Sequence, residues 1–335
     1  MSKVLRILGS LALLAFIAWR LDWDQLGGAF ARVDYALWVA AVGVYVFAQV
    51  VSSLRWQLLS QPLGFDLGLA RYISLYFIGM FFNLVLPTSV GGDVVRAGYL
   101  ATGTRRRGAA VLSVLVDRGT GLVVLIAMAC IAGLFVRGMM PPWMGATLLG
   151  MAALLVGGMA CVPLLPRISR WRFLGKRGAQ LAMVGEVYLR RPKVLAIAVA
   201  LSLVVQVAGV VYTGLIAWAM GLDVSWSYLA VVVPLVALLT LLPVSINGMG
   251  LREVGLVVLL GPVGVPAASA VTLSLLQLAA TFAASLPGAG FYLGGAYPRL
   301  ESTPPIDRKA EGRSDAEAIR GNSDQGRAGQ SAKAA

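Results

Sequence analysis

Apolar runs of about 17–25 residues recur along most of this 335-residue chain, and they constrain its fold more than any other feature. An α-helix rises about 1.5 Å per residue, so a run of this length crosses a hydrocarbon core about 30 Å thick. Only 13% of the residues are charged, which is about half the share usual in soluble domains. The sequence therefore predicts an all-α, polytopic membrane helical bundle.

The apolar runs are of two kinds, continuous and interrupted. Two stretches, 69–86 and 227–243, run into a proline and a glycine-rich break before a short helix-like piece. The first continuous run could instead belong to a cleaved signal peptide, since Ala29-Phe30-Ala31 has the small-x-small form. That site lies ten residues beyond the run, which favours an uncleaved span. Full spans are predicted at 7–19, 36–59, 108–136, 143–165, 194–220 and 266–293.

The two interrupted stretches resemble each other. The segment from Leu86 to Arg96 aligns without gaps onto the segment from Leu242 to Arg252, at a constant offset of 156 residues. The matched positions include a proline, a serine and an arginine, which an apolar bias does not explain. The sequence thus predicts an internal repeat centred on 81–100 and 237–256.

The positions of the basic residues predict how the chain crosses the membrane. Basic clusters at 105–107 and 167–193 lie beside apolar runs, and such clusters usually face the cytoplasm. Both clusters lie on one side if the interrupted stretches are re-entrant hairpins that enter from opposite faces. We therefore expect six full spans plus two re-entrant hairpins related by an inverted repeat, in the inner membrane, with both termini cytoplasmic. The alternative is eight plain spans with Pro/Gly kinks.

The overall charge and the missing residue types exclude several classes of function. The net charge of +13 lies in short loops beside apolar runs, which suits anionic lipids rather than nucleic acid. The chain contains no histidine, so His-dependent zinc sites and His general bases are excluded, and we expect neither a metal nor a cofactor. Residues 1–298 are predicted to form the membrane domain and residues 299–335 a disordered cytoplasmic tail. The segment 168–191 is typical of an amphipathic surface helix.

Ionisable residues within a membrane are costly and are therefore candidates for function. The first break leaves backbone N–H groups free at the start of a short helix, where anions bind favourably. Arg96 and Arg252 occupy matching places in the repeat, and their planar guanidinium groups suit phosphate. The alternative is that Asp93 pairs with a nearby arginine and only joins helices. The predicted phosphate or headgroup ligands are Arg96, Arg252, Gly91, Gly92, Gly248, Ser89 and Ser245.

A second set of polar residues is expected to complete the site. Asp117 and Arg118 are adjacent and point about 100° apart on a helix, so each needs another partner, with Arg96 and Asp93 as candidates. The same restriction applies to Arg252 and Glu253. Asn83 and Asn247 flank the two breaks and are expected to bond freed backbone groups or a headgroup. Arg55 and Trp56 are predicted to lie in the membrane interface.

Several of these motifs together resemble a known family. They are Arg55-Trp56, the run from Phe81 to Pro87, Gly91-Gly92-Asp93-Val94-Val95-Arg96, Asp117-Arg118, Leu242-Pro243 and Gly250-Leu251-Arg252-Glu253. The pattern resembles the lysylphosphatidylglycerol synthase transmembrane region, or flippase-like domain family, over about residues 1–298. Larger members carry a soluble aminoacyl-transferase domain, which has no counterpart in this sequence. The resemblance therefore implies lipid translocation without lipid synthesis.

We expect the chain to flip an amphipathic, phosphate-containing lipid and not to act as an enzyme. A phospholipid, a glycolipid or a polyprenyl-linked substrate would fit, and a lipid-modifying enzyme is a candidate partner. Two alternatives stay open from sequence alone. The first is a membrane-embedded polyprenyl phosphatase or headgroup transferase, and the second is an accessory subunit that docks a glycosyltransferase through 168–193.

Overall fold

The computed structural model describes residues 28, 30–31, 33–86, 90–104, 106–161, 187–188, 190–241 and 248–294. These residues form nine α-helices and three short 3-10 turns, with no strand among them. In chain order the helices are α1 (Tyr35–Ser60), α2 (Leu69–Val85), α3 (Gly91–Ala101), α4 (Arg107–Phe135), α5 (Pro142–Cys161), α6 (Pro192–Ala219), α7 (Trp226–Leu241), α8 (Leu251–Leu260) and α9 (Ala267–Leu293).

Five of these helices, namely α1, α4, α5, α6 and α9, are long and apolar enough to cross a membrane. They correspond to five of the six predicted full spans, and the sixth, at 7–19, lies outside the described residues. Large apolar side chains such as Phe135, Leu149 and Leu154 are exposed on the outside of the bundle, as lipid-facing positions require. The protein is a helical, multi-pass membrane protein.

The two interrupted stretches each form a helix pair, as the sequence predicted. Helices α2 and α3 are separated at residues 86–90, and α7 and α8 are separated at residues 242–250. The two pairs differ in register. Helix α3 begins five residues before Arg96, whereas α8 begins one residue before Arg252, so the two arginines do not occupy equivalent helical positions.

Helices α1 and α6 run antiparallel and are joined at both ends. At one end the Asp34 N–H donates to the Ala219 carbonyl oxygen at 2.8 Å. At the other end the Tyr188 hydroxyl, just before α6, donates to the Leu59 carbonyl oxygen. The α1–α6 pair therefore defines two ends of the bundle, against which the other helices can be placed.

The two helix pairs open toward opposite ends of α1. Arg106, which follows α3, donates from Nη1 to the carbonyl oxygens of Leu63 (3.4 Å) and Gly64 (3.2 Å), which precede α2. The open end of the α2–α3 pair, where the chain enters α2 and leaves α3, thus lies beside the last residues of α1. In the second pair the Tyr228 hydroxyl of α7 donates to the Leu259 carbonyl oxygen of α8 at 2.7 Å, where α6 finishes and α1 begins.

Glycines allow the backbones of these pairs to approach closely. A Cβ atom on Gly92 of α3 would lie 1.9 Å from the Gly79 carbonyl oxygen of α2, and one on Gly288 of α9 would lie 2.1 Å from the Phe77 carbonyl oxygen. Small residues at such crossings let membrane helices gain van der Waals contact. Helix α2 therefore packs closely against both α3 and α9.

Backbone contacts group Met1–Tyr297 into one unit and Pro298–Ala335 into another. The second unit lies wholly outside the described residues, so the expected disordered tail stays a prediction. The amphipathic helix expected at 168–191 also lies almost entirely outside them.

Candidate functional site

The centre of the site is Asp117, whose side chain is fully buried and lies in the middle third of α4. Its Oδ1 lies 2.8 Å from Nε of Arg55 and its Oδ2 lies 3.3 Å from Nη2 of Arg96. A buried carboxylate is tolerated only when it is paired and hydrogen-bonded, and two guanidinium groups satisfy this requirement. The predicted pairing of Asp117 with Arg96 is confirmed.

A second carboxylate, that of Asp93, extends the network toward the more exposed Arg118. Arg118 forms a bidentate pair with Asp93, with Nε and Nη2 each 3.0 Å from a carboxylate oxygen. Asp93 Oδ1 also lies 3.1 Å from Nε of Arg96, one turn further along α3. The predicted pairing of Arg118 with Asp93 is confirmed. The five side chains alternate in sign as Arg55, Asp117, Arg96, Asp93 and Arg118, and we call them the arginine network.

Arg96 is the most restrained member of the arginine network. Its guanidinium carbon lies 4.9 Å from the ring centre of Trp56 and 4.8 Å from that of Tyr76. The Trp56 ring is in turn fixed by a hydrogen bond from Nε1 to the Ser113 hydroxyl oxygen at 3.0 Å. Cation–π contact with two rings in a desolvated place holds the guanidinium in position. Arg96 therefore positions the two carboxylates rather than standing free for a ligand.

The prediction that Arg55 and Trp56 lie in the membrane interface is wrong. Arg55 is 5% exposed and Trp56 is fully buried, and Arg55 also donates from Nη1 to the Ser202 hydroxyl at 2.8 Å. The position of Arg55 near the end of α1 suggested the interface. The packing of α4 and α6 over that end, which creates the buried environment, depends on tertiary structure and could not be inferred from the sequence of α1.

A cavity of about 580 Å³, lined by both polar and apolar side chains, adjoins the arginine network. Its size falls within the range typical of small-molecule sites. Three arginines of the network line the cavity and differ in exposure. The Arg118 side chain is 51% exposed, whereas those of Arg55 and Arg96 are almost fully buried. Arg118 is thus the cation that a molecule in the cavity would meet. Other polar lining residues are Tyr45, Gln49, Asn83, Gln206, Thr240, Thr281 and Ser285.

Sequence reasoning placed Arg118 only among supporting residues and missed most of the other polar lining. Gln49 and Gln206 carry a recognisable signal, because each is an amide within a long apolar helix. Gln206 donates from Nε2 to the Gly121 carbonyl oxygen of α4 at 3.1 Å. The contributions of Tyr45, Thr281 and Ser285 leave no comparable signal, since such residues are common inside membrane helices.

Asn83 binds the start of α3. Its Oδ1 accepts the Gly92 N–H at 2.7 Å, which confirms the expectation that this asparagine satisfies backbone freed by the break. The Gly92 N–H predicted as part of a phosphate cradle is therefore already occupied, and Gly91 and Gly92 are buried. Ser89, Ser245 and Asn247 lie outside the described residues.

Arg252 and Glu253 form a separate cluster with Ser274 of α9. Arg252 Nη2 lies 3.2 Å from Glu253 Oε1, Arg252 Nε donates to the Ser274 hydroxyl at 2.7 Å, and that hydroxyl donates to Glu253 Oε1 at 2.6 Å. Adjacent helical residues were not expected to pair. They do so here because Glu253 folds back over the helix start, where its Oε2 accepts the Gly250 N–H at 2.6 Å.

The second cluster begins at a turn that requires glycine. Gly248 and Gly250 have φ angles of 76° and 85°, in the region that disfavours side chains. Within the part of the chain that the structure describes, the cavity lining includes Arg96 but neither Arg252 nor Glu253. Of the two arginines predicted as headgroup ligands, Arg96 therefore lines this cavity and Arg252 does not. Among the described residues no group of three or more His, Cys, Asp or Glu is placed to hold a metal ion.

Comparison with known families agrees with the resemblance in the motifs. The sequence model described as the lysylphosphatidylglycerol synthase TM region matches residues 3–288, which is most of the chain. No curated protein matches the chain.

Proposed function

Because the chain belongs to the lysylphosphatidylglycerol synthase TM region family, we propose that it translocates an amphipathic lipid with a phosphate-containing headgroup across the bilayer. The observation that carries this proposal is the cavity between the apolar helices, which is lined in part by polar side chains and to which the Arg118 guanidinium is exposed. A lipid headgroup that crosses a membrane needs such an interior polar space, because the hydrocarbon core offers no hydrogen bonds.

The charge of the arginine network favours an anion. Three guanidinium groups face two carboxylates, those of Asp93 and Asp117, so the network carries a net charge of 3 − 2 = +1. An excess charge in a medium of low dielectric constant is costly unless a counter-ion compensates it. Phosphate supplies that charge and fits the planar donor arrangement of Arg118.

The proposal includes two re-entrant hairpins that act as an inverted repeat. Helices α2 and α7 have 17 and 16 residues, so each is about 24–26 Å long, shorter than a hydrocarbon core of about 30 Å. Each helix pair opens toward a different end of α1, and the tips of α2 and α7 contribute Asn83 and Thr240 to the same cavity. This geometry supports alternating access, in which the cavity opens first to one face and then to the other.

We propose that the end of the bundle carrying Arg106 faces the cytoplasm of the inner membrane. Arg106, Arg107, Arg191 and Lys193 lie at the starts of α4 and α6, which share that end. The positive-inside rule then places α1 with its last residue inside, and the basic loops beside anionic lipids.

Reconstitution in liposomes tests this function. We expect the purified protein to move a short-chain fluorescent phospholipid between leaflets, and Arg118→Gln to lower the rate at least tenfold because the exposed guanidinium is lost. A tenfold loss corresponds to about 1.4 kcal/mol of binding at the rate-limiting step. Arg137→Gln is the matched control, because Arg137 lies in the 3-10 turn after α4 and away from the cavity lining.

The proposal is wrong if no phospholipid, glycolipid or polyprenyl phosphate moves while a control lipid carrier works in the same vesicles. Mass spectrometry of the lipids after the assay separates carriage from catalysis. We expect them to be chemically unchanged, whereas a covalent product would favour the enzyme alternative.

A further inference from the structure

Part of the cavity lining is uncharged and presents hydrogen-bond acceptors. Thr240 and Thr281 donate from Oγ1 to the carbonyl oxygens of Ala237 (2.7 Å) and Gln277 (2.9 Å) in their own helices. Ser285 donates in the same way to the Thr281 carbonyl oxygen at 2.7 Å. With their protons used, the hydroxyl groups of Thr240 and Ser285 can offer only oxygen lone pairs to a molecule in the cavity, whereas that of Thr281 also contacts the hydroxyl groups of Tyr45 and Tyr212. We call Thr240, Thr281 and Ser285 the neutral wall.

Every carboxylate oxygen of the acids beside the cavity already contacts a guanidinium group. Both oxygens of Asp93 contact Arg118, and one of them also contacts Arg96. Both oxygens of Asp117 contact guanidinium groups as well, those of Arg55 and Arg96. An ammonium group in the cavity would therefore find no uncommitted carboxylate among the described residues.

The second cluster does not alter this balance. Arg252 and Glu253 pair with each other, so their charges sum to zero. A headgroup that brings a single negative charge would neutralise the arginine network. A zwitterionic headgroup would leave the site at +1, and a headgroup with a further amine would raise it, each at an electrostatic cost in a low-dielectric interior.

We propose that the translocated headgroup has a net negative charge, with a phosphate at Arg118 and an uncharged, hydroxyl-bearing remainder against the neutral wall. This inference rests on the proposed function. The lone pairs of the neutral wall accept hydrogen bonds from the hydroxyl groups of a glycerol- or sugar-like substituent. Headgroups that carry an ammonium are selected against, because they bring positive charge to a site that already has an excess of it.

Lipid binding to the intact protein in detergent tests the inference independently of transport. Phosphatidylglycerol, phosphatidylethanolamine and phosphatidylcholine with identical acyl chains would compete in native mass spectrometry. We expect phosphatidylglycerol to bind at least about tenfold more tightly than the two zwitterionic lipids, a difference of about 1.4 kcal/mol. Equal binding of the three lipids, or preference for a zwitterionic one, would overturn the inference.

A charge added to the neutral wall should change the preference. Thr281→Asp brings the summed charge of the arginine network and the new carboxylate to zero. We therefore expect the affinity for phosphatidylethanolamine to rise and that for phosphatidylglycerol to fall, so that the ratio of the two affinities changes at least tenfold. Thr281→Asn has nearly the shape of the aspartate without its charge, so its ratio should lie at least tenfold closer to the native ratio than that of Thr281→Asp. If Thr281→Asp does not fold, Thr240→Asp with Thr240→Asn repeats the test at the end of α7.

The inference fails if the aspartate and asparagine variants give the same ratio. The outcomes for binding and for transport are distinguishable. Selective binding without movement of any lipid would refute the proposed function but not the charge selectivity. Movement of lipids without charge selectivity would refute the charge selectivity but not the proposed function.

Discussion

Replacing Asp117 by asparagine removes one charge from the bundle interior while nearly preserving the shape of the side chain. In the native protein this carboxylate neutralises part of two buried guanidinium groups, those of Arg55 and Arg96, at 2.8 and 3.3 Å. After the substitution three guanidinium groups share a single carboxylate, so the net charge of the arginine network rises from +1 to 3 − 1 = +2. The substitution therefore tests whether the network is held by charge compensation.

The expected loss of stability is large. Removing one partner of a buried ion pair costs about 3–5 kcal/mol, because the remaining charge is left uncompensated. With an unfolding entropy of about 2.1 cal/mol/K per residue, each kcal/mol lowers the midpoint of thermal unfolding of a domain of about 300 residues by roughly 1.6 °C, so Asp117→Asn should lower it by about 5 °C or more. The midpoint can be measured by heating the protein in detergent and following the folded fraction by size-exclusion chromatography. Asp223→Asn, an exposed acid between α6 and α7, is the control and should leave the midpoint within about 1 °C.

A double variant decides whether charge is the cause. Arg55→Gln combined with Asp117→Asn removes one charge of each sign and returns the network to +1. If compensation matters, the double variant is more stable than Asp117→Asn alone, and the coupling energy between the two positions exceeds about 1 kcal/mol. Additive losses of stability at the two positions would refute the reasoning, because they would mean that each side chain contributes by packing alone.

Three further changes have defined outcomes. Gly92→Ala should lower the unfolding midpoint by several degrees, because its Cβ would lie 1.9 Å from the Gly79 carbonyl oxygen, whereas Gly145→Ala, with open space around it, should not. Asn83→Ala should cost about 1 kcal/mol of stability through the lost bond to the Gly92 N–H, visible as a smaller shift in the same assay. Glu253→Gln should reduce stability by about 3 kcal/mol, since Arg252 then keeps an uncompensated charge, and an unchanged midpoint would show that this pair is dispensable.

The helices could be predicted from the sequence because a membrane imposes their length. The long helix bounds agree with the apolar runs within about two residues at most described ends. The first break was predicted at Pro87–Gly92, but Gly91 and Gly92 already belong to α3, and the second break ends at Gly250. The pairs of Asp117 with Arg96 and of Arg118 with Asp93 were also predictable, whereas the nearer partner of Asp117, Arg55, was not. Adjacent side chains on a continuous helix diverge, and few opposite charges were available within the apolar segments.

The rest depended on tertiary packing and on where helices begin. Arg55 was misjudged because nothing in α1 reveals that α4 and α6 cover it. The pair of Arg252 and Glu253 was misjudged because the rule for adjacent residues assumes a position inside a helix. Here Glu253 lies at the start of α8 and reaches back to Gly250, whose positive φ the sequence match did not reveal. The match also suggested that Arg96 and Arg252 are equivalent, whereas of these two arginines only Arg96 lines the cavity.

The bonds at both ends of α1 and α6 have a mechanical consequence. Hydrogen bonds join Asp34 to Ala219 at one end and Tyr188 to Leu59 at the other, so we expect α1 and α6 to move as one rigid unit. The helix pairs, in contrast, are fastened near their open ends, by Arg106 and by Tyr228. For the proposed alternating access, we therefore expect each helix pair to move as a unit about its anchored open end. Crosslinks between the tip of α2 and the tip of α7 should arrest lipid movement, whereas crosslinks between α1 and α6 should not.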